Sequence, residues 1–256
     1  MRIELFPNLP LFLMVLMRMT GAVFFNPIFG RRNIPSMIKA AFVLLLSVMA
    51  AMYIPLGEVR IDNFIELILM SAKELLVGFG IAMIMQFFLS VVIMAGEMID
   101  MQLGVMMAKI FDPATNIQLS MTGNLFTVLI VILFFLTNGH LAFMRLLFYS
   151  FEIFPPGAAI INPRFYMYAV GLFTTVLELF MRILMPMLAI QLLTELGIGI
   201  MMKVSPQMNV FIVGIQVKFI IGMAVLMTLI PLLIPFFNGI ISTMLSSVEQ
   251  GLLAMR

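Results

Sequence analysis

The chain has no cysteine, no tryptophan and a single histidine, and only 10% of its 256 residues are charged. Without cysteine there are no disulfides and no thiolate metal sites. One histidine cannot build a multi-histidine centre, and His140, in Asn138-Gly139-His140 just past an apolar run, reads as a helix-end or interfacial residue. A soluble domain carries about a quarter charged residues, so the composition excludes that class. The net charge of +2 is too small for a nucleic-acid-binding face. No phosphate loop, zinc motif or nucleophile elbow occurs. The sequence therefore implies no cofactor, no metal and no enzymatic activity, with an intramembrane protease or lipid transferase as the remote alternative. A removable signal is not expected. Met1-Arg2-Ile3-Glu4 precedes an apolar stretch longer than a signal, with no small-residue cleavage site and with Arg18 inside it.

Long apolar runs dominate: 63% of residues are hydrophobic and 28 are methionine. A membrane-spanning helix needs about 20 mostly apolar residues. Candidates are Leu9–Phe29, Met37–Ile54, Leu75–Ala95, Leu119–Thr137, Tyr166–Ala189 and Phe211–Phe237. Pro231 and Pro235 predict a kink or break in the last of these, with Phe236–Met255 as a separate helix. Met144–Ile153 is a shorter apolar stretch ended by Pro155-Pro156-Gly157. The expected fold is all-α, with about six to eight helices including broken or hairpin ones. No low-complexity tract or internal repeat divides the chain. Lys and Arg nearly balance across six assumed spans, so the positive-inside rule does not orient them as an ordinary bundle.

Charges interrupt these runs: Arg18, Lys73, Glu74, Glu97, Asp100, Glu178, Arg182 and Lys218. A charge at bilayer depth normally faces a protein partner or a water-filled path. Glu178 and Arg182 are four apart with the acid first, the favourable helical order. They either neutralise one another or link to a partner subunit. Glu97 and Asp100, three apart, share a helical face. They would serve either a self-contained ion-coupled transporter or structural pairing with cations elsewhere. Gly78 and Ala82 form a small-residue packing pair, and Ala95, Gly96 and Gly104 allow close helix approach. The connection Leu103–Pro113 is rich in bulky apolar side chains. It suits a hydrophobic constriction or a plain helix end before the Asp112-Pro113 turn.

Five blocks, taken in order, resemble the FliR family of flagellar export-gate proteins, whose injectisome relatives are the SctT proteins. They are Arg18-Met19-Thr20-Gly21 with Asn26-Pro27-Ile28-Phe29-Gly30, Ile34-Pro35 and Lys39; Lys73 to Gly80; Ala95 to Asp100 with Gly104 and Asp112-Pro113; Asn138-Gly139-His140 to Pro155-Pro156-Gly157; and Pro186, Leu196-Gly197, Val204 to Phe211, Lys218 and Gly222. The most specific is the polar string Pro206-Gln207-Met208-Asn209-Val210-Phe211. The Asn-Gly-His block is closer to the flagellar branch.

The resemblance implies a single export-gate subunit, residues 1–256, with a FliP-like N-terminal part and a FliQ-like C-terminal part that meet near 160–210. It implies a place in a helical hetero-oligomeric ring with FliP-like and FliQ-like partners and a FlhB-like gate protein. That ring sits in the bacterial inner membrane at the flagellar basal body and passes unfolded flagellar subunits. It also implies a pore plug, carried here onto Met106, Met107, Ile110 and Phe111. In such an assembly Arg18, Glu74, Glu97, Asp100, Glu178, Arg182 and Lys218 would be interface or buried charges. The contacts expected are protein partners, export substrates and membrane lipid, with no nucleic acid.

Overall fold

A computed structural model describes residues 9–53, 63–105, 120–158, 163–205, 207 and 210–255. All regular structure among them is helical: α1 Leu9–Phe24, α2 Ser36–Tyr53, α3 Phe64–Gln102, α4 Met121–Leu136, α5 Gly139–Ile153, α6 Pro163–Val204 and α7 Val210–Met255. The all-α expectation holds, and seven described helices fall within the expected six to eight. Four are long and apolar enough to cross a membrane, or five if α4 and α5 form one broken span. The break falls at Thr137-Asn138. Asn138 adopts φ 58°, a left-handed conformation that Asn tolerates better than most residues.

Three helices exceed the expected spans. α3, α6 and α7 have 39, 42 and 46 residues. At 1.5 Å per residue their contours are roughly 58, 63 and 69 Å, about twice a hydrocarbon core of ~30 Å. The positive-inside balance assumed six bilayer-length spans, which these helix lengths do not match. The candidate span Leu75–Ala95 stops short of Glu74 and Glu97-Met98-Ile99-Asp100, and α3 runs through both. Buried Glu74 and Asp100 find partners inside the protein, so they do not end the helix. The break expected at Pro231 and Pro235 is also absent, because α7 is helical from Val210 to Met255 with both prolines inside it. Both prolines are exposed. Where no water competes for backbone groups, a helix with two missing donors is still the favourable state.

The contacts divide the chain into two compact units. The first comprises Met1–Phe87, Asn138–Phe173 and Ser242–Arg256. Its core is built from Met14, Val15 and Met19 of α1, Ile81 and Met85 of α3, Phe143, Leu147 and Phe151 of α5, and Val248 and Leu252 of α7, all buried. The second comprises Phe88–Thr137 and Thr174–Ile241. Phe88, Val92, Ile99, Phe126, Phe134, Met187, Phe237 and Ile240 form its core, with Phe126 edge-on to Phe237 at 5.5 Å.

Candidate functional site

The first unit is joined by a buried ion pair. Arg18 and Glu74 are both 0% exposed, and the Arg18 Nε–H donates to Glu74 Oε2 at 2.6 Å. Arg18 Nη1 donates to the Ser150 carbonyl at 2.8 Å and to Ser150 Oγ at 3.2 Å. Nη2 donates to the Phe154 carbonyl at 2.9 Å. The guanidinium carbon lies 4.1 Å from the centre of the Phe151 ring, a cation–π position. The other carboxylate oxygen of Glu74 accepts the Gly157 N–H at 2.9 Å. One ion pair thus ties α1, α3, the end of α5 and the turn beyond it. In that turn Ala158 N–H donates to the Pro155 carbonyl, with Gly157 at φ 86°. Pro156 and Gly157 occupy the positions a type II turn prefers, so Pro155-Pro156-Gly157 aims a backbone donor at Glu74.

The helices joined by that pair meet at glycines. A Cβ on Gly78 would overlap the Arg18 carbonyl, and one on Gly21 would lie 2.9 Å from the Phe79 nitrogen. The backbones of α1 and α3 touch one turn from the ion pair, as small-residue crossings allow. The Asn26 to Gly30 block then turns the chain toward α2. Asn26 Oδ1 accepts the N–H groups of Ile28 at 2.8 Å and Phe29 at 3.1 Å, and Lys39 Nζ donates to the Gly30 carbonyl at 2.8 Å. Arg31 Nε donates to the Pro27 carbonyl at 3.1 Å. Partial burial lowers the pKa of this arginine, which remains charged all the same.

The second unit repeats the arrangement with a lone carboxylate. Asp100 is 5% exposed. It accepts a hydrogen bond from Ser120 Oγ at 2.6 Å, the Thr122 N–H at 3.2 Å to both oxygens, and the Thr122 hydroxyl. Ser120 is the N-cap of α4, and its Oγ accepts the Gly123 N–H at 2.8 Å. Asp100 thus sits at the positive end of the α4 dipole and supports the capping serine. One turn back, a Cβ on Gly96 would lie 2.8 Å from the Thr122 carbonyl carbon and overlap Gly123. Gly104 acts differently from the close approach expected of it. It has φ 77°, and a Cβ there would meet only Ile215 at 3.5 Å. It lies two residues beyond Gln102, the last residue of α3, where a left-handed residue commonly ends a helix.

The remaining predicted residues fall in several places. Glu97 is exposed while Asp100 is buried, so the two carboxylates do not form one site. Glu178 and Arg182 pair with each other at 2.6 Å, their side chains 63% and 61% exposed. Lys218 pairs with Glu195 at 2.6 Å. The sequence reading missed Glu195, whose signal was a lone acid in an apolar run. Lys73 is exposed beside buried Glu74. Gln207 is an exposed turn residue and Phe211 lies in α7, whereas Met106, Met107, Ile110, Phe111, Pro206 and Asn209 lie outside the described residues. The described residues contain no cluster of three or more potential metal ligands.

The fold and these joints define an all-helical integral membrane protein whose buried charges stitch its own helices together. Its sequence matches the bacterial export proteins, family 1, over residues 9–244, and the chain belongs to that family. It is similar to the flagellar biosynthetic protein FliR of Escherichia coli, 25% identical over 234 residues that cover 91% of this chain and 89% of that protein. The flagellar biosynthetic protein FliR of Bacillus subtilis is 26% identical over 257 residues, 99% of this chain and 97% of that protein. The secretion system apparatus protein SsaT of Salmonella typhimurium is 26% identical over 159 residues, 62% of this chain and 61% of that protein. The resemblance to the FliR family is thereby shown. Family and apolar helices together make the chain an export protein of the bacterial inner membrane.

Proposed function

We propose that this chain is the FliR-type subunit of a flagellar type III export gate, a non-enzymatic structural and pore-forming component at the flagellar basal body. The observation that carries this reading is the near end-to-end similarity to the FliR of Bacillus subtilis, against the shorter match to the injectisome relative. In this proposal the chain assembles with FliP-like and FliQ-like membrane proteins and a FlhB-like protein, and itself combines FliP-like and FliQ-like parts. Unfolded flagellar subunits are the cargo. Met106, Met107, Ile110 and Phe111 form the seal. Flexible methionines beside one bulky aromatic suit a barrier that stops ions and yields to a polypeptide.

The self-contained transporter needs Glu97 and Asp100 to act together. Their opposite exposure, and the hydroxyl and amide donors already on Asp100, favour the gate instead. Native mass spectrometry after co-expression with FliP-like and FliQ-like proteins tests the assembly, which should be a defined hetero-oligomer with one copy of this chain. A stable lone monomer or homo-oligomer would refute it. For the seal, Gly or Ala at positions 106, 107, 110 and 111 should leave assembly intact and let ions leak. Unchanged conductance in an intact complex would remove the assignment.

A further inference from the structure

The turn between α1 and α2 concentrates positive charge that no acid of the chain answers. No Asp or Glu occurs between Glu4 and Glu58, and among the described residues Arg31, Arg32 and Lys39 form no ion pair. The turn beneath them is built rather than loose. Asn26 is 2% exposed; its Oδ1 accepts the N–H groups of Ile28 and Phe29, and its Nδ2 donates to Met85 Sδ at 3.3 Å. The Phe29 ring stacks on both Phe42 and Phe143, 5.6 Å from each. Arg31 gives its Nε–H to the Pro27 carbonyl, and Lys39 Nζ donates to the Gly30 carbonyl, so both keep further donors. Arg32 is exposed and has no hydrogen-bond partner among the described residues.

The helix that leaves this turn fits a bilayer. α2 has 18 residues, about 27 Å of helix, against a hydrocarbon core of ~30 Å. Met37, Ile38, Leu44, Leu45, Met49 and Met52 on it are all exposed. Tyr53, also exposed, ends it, where an aromatic side chain suits the membrane–water interface. The opposite end starts just after Arg31 and Arg32, with Lys39 in its first turn. Long basic side chains there reach the headgroups while their stems stay on apolar surface. We propose that the α1–α2 turn binds an anionic phospholipid, whose phosphate takes the free donors of Arg31 and Arg32 while its acyl chains lie along the exposed face of α2. A guanidinium fork matches phosphate oxygens two at a time. A zwitterionic lipid brings the same phosphate with an ammonium group that the three cations repel, so the turn selects net negative charge. The occupant is a bilayer lipid rather than a free anion, because the apolar face of α2 runs on directly from the cations. α2 thereby sets the depth of the first unit in the membrane.

The test uses the full chain, with any subunits that co-purify, in phosphatidylcholine vesicles that hold a minor share of phosphatidylglycerol. Because the chain has no cysteine, Asn33→Cys, at an exposed position of the turn, can carry a fluorophore. Its quenching is read with a nitroxide placed near the top of an acyl chain of one lipid or the other. At equal nitroxide content phosphatidylglycerol should quench more strongly by roughly tenfold or more, the scale of two basic side chains at an anionic surface. Arg31→Gln with Arg32→Gln should bring the ratio close to one, whereas Arg31→Lys with Arg32→Lys should keep most of it. Lys203→Gln, on α6, should leave it unchanged. Equal quenching by the two lipids in the parent overturns the inference, and is what a free-anion site or acids on a neighbouring subunit would give. No quenching by either lipid overturns it as well, since α2 would then not bring the turn to the bilayer. A preference that survives the double Gln change removes Arg31 and Arg32 from the site and with them the proposal. If that double variant does not fold, Arg32→Gln decides: its ratio should fall by roughly fivefold, and an unchanged ratio overturns the proposal.

Discussion

Arg18 illustrates what a charge needs in order to stay inside an apolar unit. The guanidinium carries five N–H donors in a rigid fork, and here it meets one carboxylate, two backbone carbonyls and a serine hydroxyl. Replacing buried pairs with apolar residues is often neutral, whereas removing one partner is destabilising by about 3–5 kcal/mol. Arg18→Ala should lower stability by that amount, because Glu74 would remain charged and buried. The double change Arg18→Met with Glu74→Leu should lower it less. It should not be neutral, since the carbonyls of Ser150 and Phe154 and the Gly157 N–H would lose their partners, at about 1–3 kcal/mol per buried group. Thermal unfolding of the purified complex separates these cases. Equal losses in the single and double variants would mean that the pair is not energetically coupled.

At the scale of elements, the two units solve one problem twice. In each, two helices cross where glycines let their backbones touch, and a buried acid sits about one turn away. Gly78 and Gly21 serve α1 and α3, and Gly96 and Gly123 serve α3 and α4. Gly78→Ala should destabilise by about 1–3 kcal/mol, as overpacking does, because the atoms it meets are backbone and cannot turn aside. Gly199, on α6, has nothing within 4 Å of its would-be Cβ. There Ala should be neutral or stabilising by up to about 0.5–1 kcal/mol from helix propensity. Melting temperatures of the two variants check this, and a Gly199→Ala protein that melts normally but fails to assemble would mark that face as a subunit contact.

Much of this was readable in the sequence, and the remainder was hidden for physical reasons. Arg18, Glu74 and Asp100 stood out because charge in an apolar run is costly, and Gly78 and Gly96 because small residues permit contact. Their partners did not stand out. Ser150, Phe154 and Gly157 contribute mostly backbone atoms, and Ser120 and Thr122 contribute hydroxyls common in any helix. Pro155-Pro156-Gly157 is legible as a turn, but nothing in the sequence marks any of these residues as a partner, and each lies 20 or more residues from the charge it meets. The length of α3 was hidden for the same reason: without partners in view, Glu74 and Glu97 bounded the apolar run Leu75–Ala95, although the helix continues past both.

At the scale of the whole molecule, the described surface is rich in large apolar side chains. Met37, Met52, Tyr166, Met167, Leu193 and Leu232 are among many large apolar side chains that are more than two-thirds exposed, which suits lipid or neighbouring subunits. The pair Glu178–Arg182 suits lipid less well. It lies among exposed Leu177, Met181 and Met185 on α6, and its 2.6 Å contact is with itself. In water an exposed pair at this spacing contributes about 0.3–0.5 kcal/mol. At bilayer depth its main effect is to avoid the ~2.5–3.5 kcal/mol that one bare charge would cost. The two substitutions should therefore not add. Arg182→Ala alone strands Glu178 and should lower the assembled fraction, read by native mass spectrometry, by roughly tenfold or more. Adding Glu178→Ala should restore most of it. If both variants assemble equally poorly, each side chain has a partner of its own on another subunit, and this face of α6 is a polar interface. If both assemble as the parent does, the pair lies in water beyond the hydrocarbon, as the ~63 Å contour of α6 permits.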